Sequence, residues 1–191
     1  MDRGSIRTTL GNQAAVIADR FDENGRSVNY RADCKYGPGR PISSLPGFRK
    51  MSNMICWLDG QGPAESKYVP PGVKQLVHVL DHEAATIVSV HLPTTTDTRR
   101  EQLSKLATII SDHERVVVVG DFNLFNGFDE LSPLTDGLGL ELHSPGMTYP
   151  TADLQHSFDV LLSSPAVTVD RCRVLDDVRF SDHLPITAEI S

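Results

Sequence analysis

Cysteine is scarce in this sequence. Only three of the 191 residues are cysteine, and they stand far apart at Cys34, Cys56 and Cys172. An odd, scattered set gives no disulfide framework and no zinc-ligand spacing. It fits a reducing compartment, so a cytoplasmic location is expected. Long apolar runs are missing as well. No stretch approaches the ~18 apolar residues that a membrane span requires. The opening Met1-Asp2-Arg3-Gly4-Ser5-Ile6-Arg7 has no apolar signal core. There is no basic excess either. Lys and Arg total 18 against 25 Asp and Glu, for a formal net charge of −7. Broad, non-specific binding to nucleic acid needs a basic surface that displaces counterions, and this balance counts against it. A nuclease with a local basic groove is still compatible with a negative total. Internal repeats and low-complexity tracts are also lacking.

The remaining composition is that of an ordinary globular protein, 39% hydrophobic and 23% charged. The length suits one domain, residues 1–191, with a sizeable core. Asn12 to Phe21 has apolar residues at helical spacing and is closed by Asp22-Glu23-Asn24-Gly25. Tyr36 to Phe48 is rich in Gly and Pro and predicts a long surface loop, as does Gly60 to Gly72. Met54 to Leu58, Val73 to Leu80 and Ala85 to Leu92 predict strands, with a turn at Asp81-His82-Glu83. Thr98-Arg99-Arg100-Glu101 has the form of a capping box. Leu103, Leu106, Ala107 and Ile110 then follow at helical spacing and lead into a strand at Val116–Val119. Later strands are expected at Glu141–His143, Phe158–Leu162, Thr168–Val174 and Ile186–Ile190. Strands outnumber helices, which predicts mixed sheets covered by helices, an α/β or α+β sandwich.

Two short motifs carry the chemistry. Val116-Val117-Val118-Val119-Gly120-Asp121-Phe122-Asn123 is a β-branched run that stops at Gly. It then presents a carboxylate and a carboxamide two residues apart. Ser181-Asp182-His183-Leu184-Pro185 adds a second acid and a titratable base. Oxygen ligands for a hard metal, an amide for phosphate and an imidazole are the parts of metal-assisted phosphoester hydrolysis. Asp159 is an acid inside an otherwise apolar strand, Phe158-Asp159-Val160-Leu161-Leu162. A buried carboxylate without a partner is costly, and His183 is the natural partner. An ionised Asp there fixes the imidazole's tautomer and raises its basicity. His91 ends the strand Ser89-Val90-His91 and divides evenly between a structural and a site role. His78, His82, His113, His143 and His156 read as solvated. Lys35, Arg40, Arg49 and Lys50 flank the first long loop and read as a solvated face.

Taken together, these motifs resemble the endonuclease/exonuclease/phosphatase superfamily. Its fold is shared by DNase I, abasic-site endonucleases, neutral sphingomyelinases and inositol polyphosphate phosphatases. Four signatures stand in the expected order. His91-Leu92 resembles the strand-ending His, and Gly120-Asp121-Phe122-Asn123 matches Gly-Asp-Phe-Asn unchanged. Phe158-Asp159-Val160-Leu161 resembles Ile-Asp-Tyr-Ile, and Ser181-Asp182-His183-Leu184-Pro185 matches Ser-Asp-His-x-Pro. Thr148-Tyr149-Pro150 also fits, and the likeness runs from about Val73 to the end.

The resemblance implies a DNase I-like four-layer α/β/β/α sandwich of two mixed sheets. It implies Mg²⁺ or Mn²⁺ and attack of water on a phosphoester, a phosphodiester or a phosphomonoester. Asp121 would orient or deprotonate the water, and Asn123 would bind phosphate. His183 would act as base or transition-state donor, oriented by Asp159. Asp182 would contact metal together with Asp121, and His91 would stabilise phosphate oxygens. Met51-Ser52-Asn53-Met54-Ile55 resembles the family's Gly-Asn-Ala-Ile stretch, which would bring Asn53 near the site.

In one respect the sequence departs from the family. The family opens with a strand ending in Asn, a helix, and a strand ending in Gln-Glu, whose Glu is the chief metal ligand. None of this is present, and Glu23, in a turn, is a poor substitute. In sphingomyelinase-like members Gln-Glu is followed by Val-Asp-Arg-Gly and a helix with Gln-Ala. Here Met1-Asp2-Arg3-Gly4 and Gln13-Ala14 follow that order. The expectation is a domain lacking its first strand-helix-strand, a fragment or a start codon placed too late, with weak Mg²⁺ binding and slow turnover. The expected activity is a metal-dependent phosphoesterase, nearest to sphingomyelinase-like or general phosphodiesterase members, with a small or lipid-like substrate. The alternatives are a nuclease of the same superfamily and a non-catalytic relative.

Overall fold

The computed structural model describes residues 12–37, 51–58 and 61–191. The loop expected at Tyr36–Phe48, the cations Arg40, Arg49 and Lys50 and the opening Met1–Ser5 fall wholly or mostly outside those residues. The chain divides into two compact units, residues 1–83 and 84–191. Both mix helices and strands.

In the first unit, α1 (Gln13–Glu23) begins where the Asn12 side chain accepts from the Ala15 N–H at 3.4 Å. That satisfies one of the four donors a helix start leaves unpaired. Ala14 and Ala18, one turn apart, are buried. Glu23 closes the helix in an exposed ion pair with Arg20. Strands β1 (Val28–Cys34) and β2 (Ser52–Leu58) pair antiparallel, with Asn53 opposite Asp33. Strands β3 (Ala64–Tyr68) and β4 (Leu76–Asp81) do the same, with Ser66 opposite His78. The sequence predicts only loop for β3. The Gly and Pro residues around it are turn formers, but pairing along the buried strand β4 overrides them. His78 is a second correction, because it is fully buried rather than solvated. Its Nδ1 lies 3.1 Å from the Ser66 hydroxyl, which donates to Asp33 at 2.6 Å.

In the second unit, β5 (Thr86–His91), α2 (Thr96–Ile110) and β6 (Val116–Asp121) form a parallel crossover. A 3-10 turn at Phe128–Leu131 and α3 (Ser132–Leu138) follow, then β7 (Glu141–His143) and β8 (Asp159–Ser163). Within this unit the sheet order is β5-β6-β8-β7, with β8 antiparallel to both its neighbours. Strands β9 (Val169–Val174) and β10 (Ile186–Ile190) form a separate antiparallel pair. Val116, Val117 and Val118 are buried in the middle of the sheet. A central strand covered on both faces needs an unbroken apolar run, and the four valines supply it. Each such side chain contributes roughly 1.5–3 kcal/mol by leaving water.

Helix α2 buries Leu103, Leu106 and Ile110, as its spacing predicts. It begins at Thr96, two residues before the expected capping box, and Thr95 makes no side-chain cap bond. Helix α3 is not foreseen from the sequence. Its signals are Pro133 in the first turn and Gly139 beyond the last, at φ +67°. His113 and His143 are half-buried and bonded to Thr86 and Ser163, not simply solvated. Among the described residues no helix is long and apolar enough to cross a membrane.

Candidate active site

Strand register assembles the site. Parallel pairing sets His91 of β5 opposite Asp121 of β6. Antiparallel pairing sets Asp159 of β8 opposite Asp121 on its other side. Three polar residues thus form one row across three adjacent strands, at the end where β5 and β6 finish. The ladder continues past the row, because Leu92 N–H donates to Asp121 O at 2.9 Å and Phe122 N–H to Phe158 O at 2.8 Å. The row is held at both of its backbone edges.

The Gly-Asp-Phe-Asn segment has a backbone that explains its residues. Gly120 has φ +146°, and a Cβ there would lie 2.0 Å from the Val90 carbonyl oxygen. No side chain fits between the two strands, so this position requires glycine. Asn123 is in the left-handed region at φ 52°. Asn tolerates it better than other non-glycine residues because its side chain bonds locally. Its backbone N–H donates to Asp121 Oδ1 at 3.0 Å, and its Nδ2 donates to the Leu92 carbonyl at 2.9 Å. Asn123 is therefore buried and stitched to the strand end that carries His91.

Asp121 stands between two imidazoles. Its Oδ2 is 3.4 Å from His91 Nε2 and 4.0 Å from His183 Nε2. His183 Nδ1 is 2.7 Å from Asp159 Oδ2. Asp159 is the acceptor, so Nδ1 carries the proton and Nε2 faces Asp121. The bond to Asp159 raises the His183 pKa above its ordinary value. Burial opposes this, while the charges of Asp159, Asp121 and Asp182 add to it. The Tyr149 ring, 4.7 Å from the imidazole centroid to centroid, walls its side. Thr148 is fully buried behind it, and its hydroxyl accepts from the Asp159 N–H at 3.3 Å.

The structure thus brings His91, Asp121, Asn123, Asp159 and His183 together. Asp182 is exposed beside them, within electrostatic reach of His183, and its side chain accepts from Ser181. Asn53 belongs to the other unit, in β2. Among the described residues no three His, Cys, Asp or Glu side chains form a ready metal cage. The donors at hand, Asp121 and Asp182, are hard oxygen ligands. Mg²⁺ in phosphoryl-transfer sites is held by only one or two carboxylates plus substrate oxygens, so this set fits such an ion without being a closed site.

Comparisons with known proteins bear on the family and the fold. The sequence profile of the Endonuclease/Exonuclease/phosphatase family matches residues 16–183. The chain belongs to that family. No curated protein matches the chain. Among solved structures, a family protein from Leptotrichia buccalis superposes with a TM-score of 0.68 at 13% identity, covering 94% of this chain and 78% of that one. A 3′ phosphatase from Neisseria bound to a product DNA hairpin gives 0.61 at 14% identity, covering 93% of each chain. A mannosyl-6-phosphatase from Bacteroides thetaiotaomicron gives 0.63 at 13% identity, covering 92% and 89%. At such identities the likeness is one of fold, and the fold is DNase I-like and mixed α/β. Members of the family are in general hydrolytic phosphoesterases, acting on substrates that include nucleic acids.

Sequence reading passed over Arg99 and Glu130. Arg99 lies on the stripe of Leu103, Leu106 and Ile110, at i, i+4, i+7 and i+11. That phase marks it as buried, and its charge hid the signal. Tyr149 is legible only as part of Thr148-Tyr149-Pro150, without its place against His183.

Proposed function

We propose that this chain is a divalent-metal-dependent phosphoesterase that cleaves a phosphodiester or phosphomonoester by attack of water. The observation that carries the reading is the Asp121 carboxylate between two imidazoles, one of them fixed by Asp159. Asp121 takes the proton as water oxygen bonds to phosphorus and the ester P–O bond breaks. His183 is held with Nε2 toward the same spot, and its raised pKa favours the protonated form, a hydrogen-bond donor to the phosphoryl oxygens. Asp121 is the better base for that reason. His91 faces the phosphate from the other side. Asn123 has one Nδ2 proton committed to Leu92 and a second for phosphate. Mg²⁺ or Mn²⁺, with Asp182 and Asp121 as its protein ligands, would supply neutralising charge for the phosphoryl oxygens.

A small-molecule or lipid-like phosphoester is the favoured substrate, because the net charge of −7 disfavours a polyanion. The likeness to a sugar phosphatase supports it. The second reading is a nuclease or nucleic-acid 3′ phosphatase, favoured by the likeness to the DNA-bound enzyme. The test is release of p-nitrophenol from bis-p-nitrophenyl phosphate and p-nitrophenyl phosphate, alongside a 3′-phosphorylated DNA hairpin. Each is run with Mg²⁺, with Mn²⁺ and with excess EDTA. Metal-dependent turnover that Asp121→Ala abolishes is expected. No turnover of any substrate would mark the chain as a non-catalytic relative.

A further inference from the structure

We infer that Arg99 and Glu130 are positioning residues, a buried ionic clamp that fixes the strand ends bearing His91 and Asp121. The inference rests on the phosphoesterase reading above. Arg99 sits in the first turn of α2, and its side chain is wholly buried, as is nearly all of Glu130. Its Nε and Nη2 grip the two Glu130 oxygens at 3.0 and 2.7 Å. Nη1 donates to the carbonyls of Pro93 and Thr94 at 3.0 and 2.9 Å. The remaining Nη2 proton reaches Thr96 Oγ1 at 3.4 Å. All five guanidinium protons are thus placed, which only arginine can do.

Apart from Thr96 of α2 itself, the acceptors belong to the connections that leave β5 and β6. Pro93 and Thr94 stand two and three residues after His91. Glu130 lies in the 3-10 turn of the connection that follows Asp121 and Asn123, and it also accepts the Asn126 N–H at 3.2 Å. Asn126 in turn donates to Thr96 Oγ1 at 3.0 Å. The same two connections meet at the site itself through the Asn123–Leu92 bond. They are joined once beside the reacting groups and again behind them.

Stability alone does not account for such a pair. Apolar residues of similar volume hold a core as well as a buried ion pair does, or better. A fork that fits only one arrangement of two loops provides geometry, and a displacement of about 1 Å at a site costs on the order of 100-fold in rate.

Two variants test this. Arg99→Lys keeps the charge and loses the fork. The double variant Arg99→Met/Glu130→Leu removes both charges. Each is followed by urea unfolding, by kcat and KM on bis-p-nitrophenyl phosphate with Mg²⁺, and by the imidazole ¹⁵N–¹H signals of His91 at fixed pH. Whichever folds decides. The expected result is a urea midpoint near the parent's for the double variant, kcat lowered about tenfold or more, KM within about threefold, and His91 signals displaced. A folded variant with the parent's kcat overturns the inference, and so does a lowered kcat with unmoved His91 signals. Loss of the fold in both variants makes the pair a stability element and also overturns it. A parent inactive on every phosphoester sinks the functional reading instead, and the His91 signals then decide the clamp alone.

Discussion

Replacing Asp159 with asparagine keeps the shape of the side chain and removes its charge. The change falls on one contact, the 2.7 Å bond to His183 Nδ1. The Asp159 backbone N–H keeps its bond to Thr148, so the strand should be undisturbed. A hydrogen bond to a charged group is worth about 1.5–3 kcal/mol net. If all of that is lost where His183 carries positive charge in the transition state, the rate falls about 10- to 150-fold, at about 1.4 kcal/mol per decade. The His183 pKa, raised chiefly by this bond, should fall toward or below its ordinary value of about 6.5.

Two measurements follow. An NMR titration of the His183 ring reads the pKa directly. The pH profile of kcat, with His183 acting as the protonated donor, has an alkaline limb that should move to lower pH in Asp159→Asn. The linkage has a definite sign. A histidine whose folded pKa is raised stabilises the fold fully below about pH 6.5, and that contribution is lost as pH rises through the folded pKa. The parent's advantage in urea over Asp159→Asn should therefore be largest on the acid side of 6.5 and shrink as pH rises through the folded value. A variant with kcat within threefold of the parent and an unmoved His183 pKa would refute the reasoning.

Gly120→Ala should destabilise by about 3 kcal/mol or more, read as a lower urea midpoint, since its Cβ would meet the Val90 carbonyl at 2.0 Å in a strained backbone. Asn123→Ala should cost about 2–3 kcal/mol, from the left-handed backbone and the lost bond to Leu92; Asn123→Gly should recover the backbone part in stability and none of the activity. His78 is buried, and burial holds its pKa below the ordinary value against the nearby Asp33 charge. Its contribution is present above about pH 6.5 and lost as pH falls through the folded pKa, so urea midpoints should drop from pH 7.5 to pH 5 more steeply in the parent than in His78→Phe. Asp182→Asn should raise the Mg²⁺ concentration for half-maximal activity several-fold in a metal titration, with little change in unfolding.

The parts of this fold written in the sequence are those decided within a few residues. The Val116–Val119 run ends at a glycine, and α2 repeats its leucines at helical phase. Both features are local, and both elements stand where that pattern puts them. Strand β3 was hidden because Gly and Pro around Ala64–Tyr68 argue for loop, while its partner β4 lies several residues further along the chain. Arg99 goes unnoticed and His78 reads as solvated for one shared reason. Polar residues are ordinarily solvated, so chemistry outweighed phase. Yet each sits in step with buried neighbours, His78 inside Leu-Val-His-Val-Leu and Arg99 one turn before Leu103.

The row His91–Asp121–Asp159 was legible as a list and not as an arrangement. Each member ends or enters an apolar strand, which marks it one at a time. Their alignment depends on β6 lying between a parallel and an antiparallel neighbour, a fact of sheet order that no local pattern contains. That order has an energetic consequence. Three acids, Asp121, Asp159 and Asp182, act together on one imidazole. A structural sheet edge gains nothing from gathering like charges, since they repel one another. The arrangement becomes favourable when positive charge is present among them, on His183, on a bound cation, or transiently on the transferred proton. A site that is poised negative, with its imidazole tautomer fixed beforehand, has its reorganisation done before the phosphoester of the proposed reaction arrives.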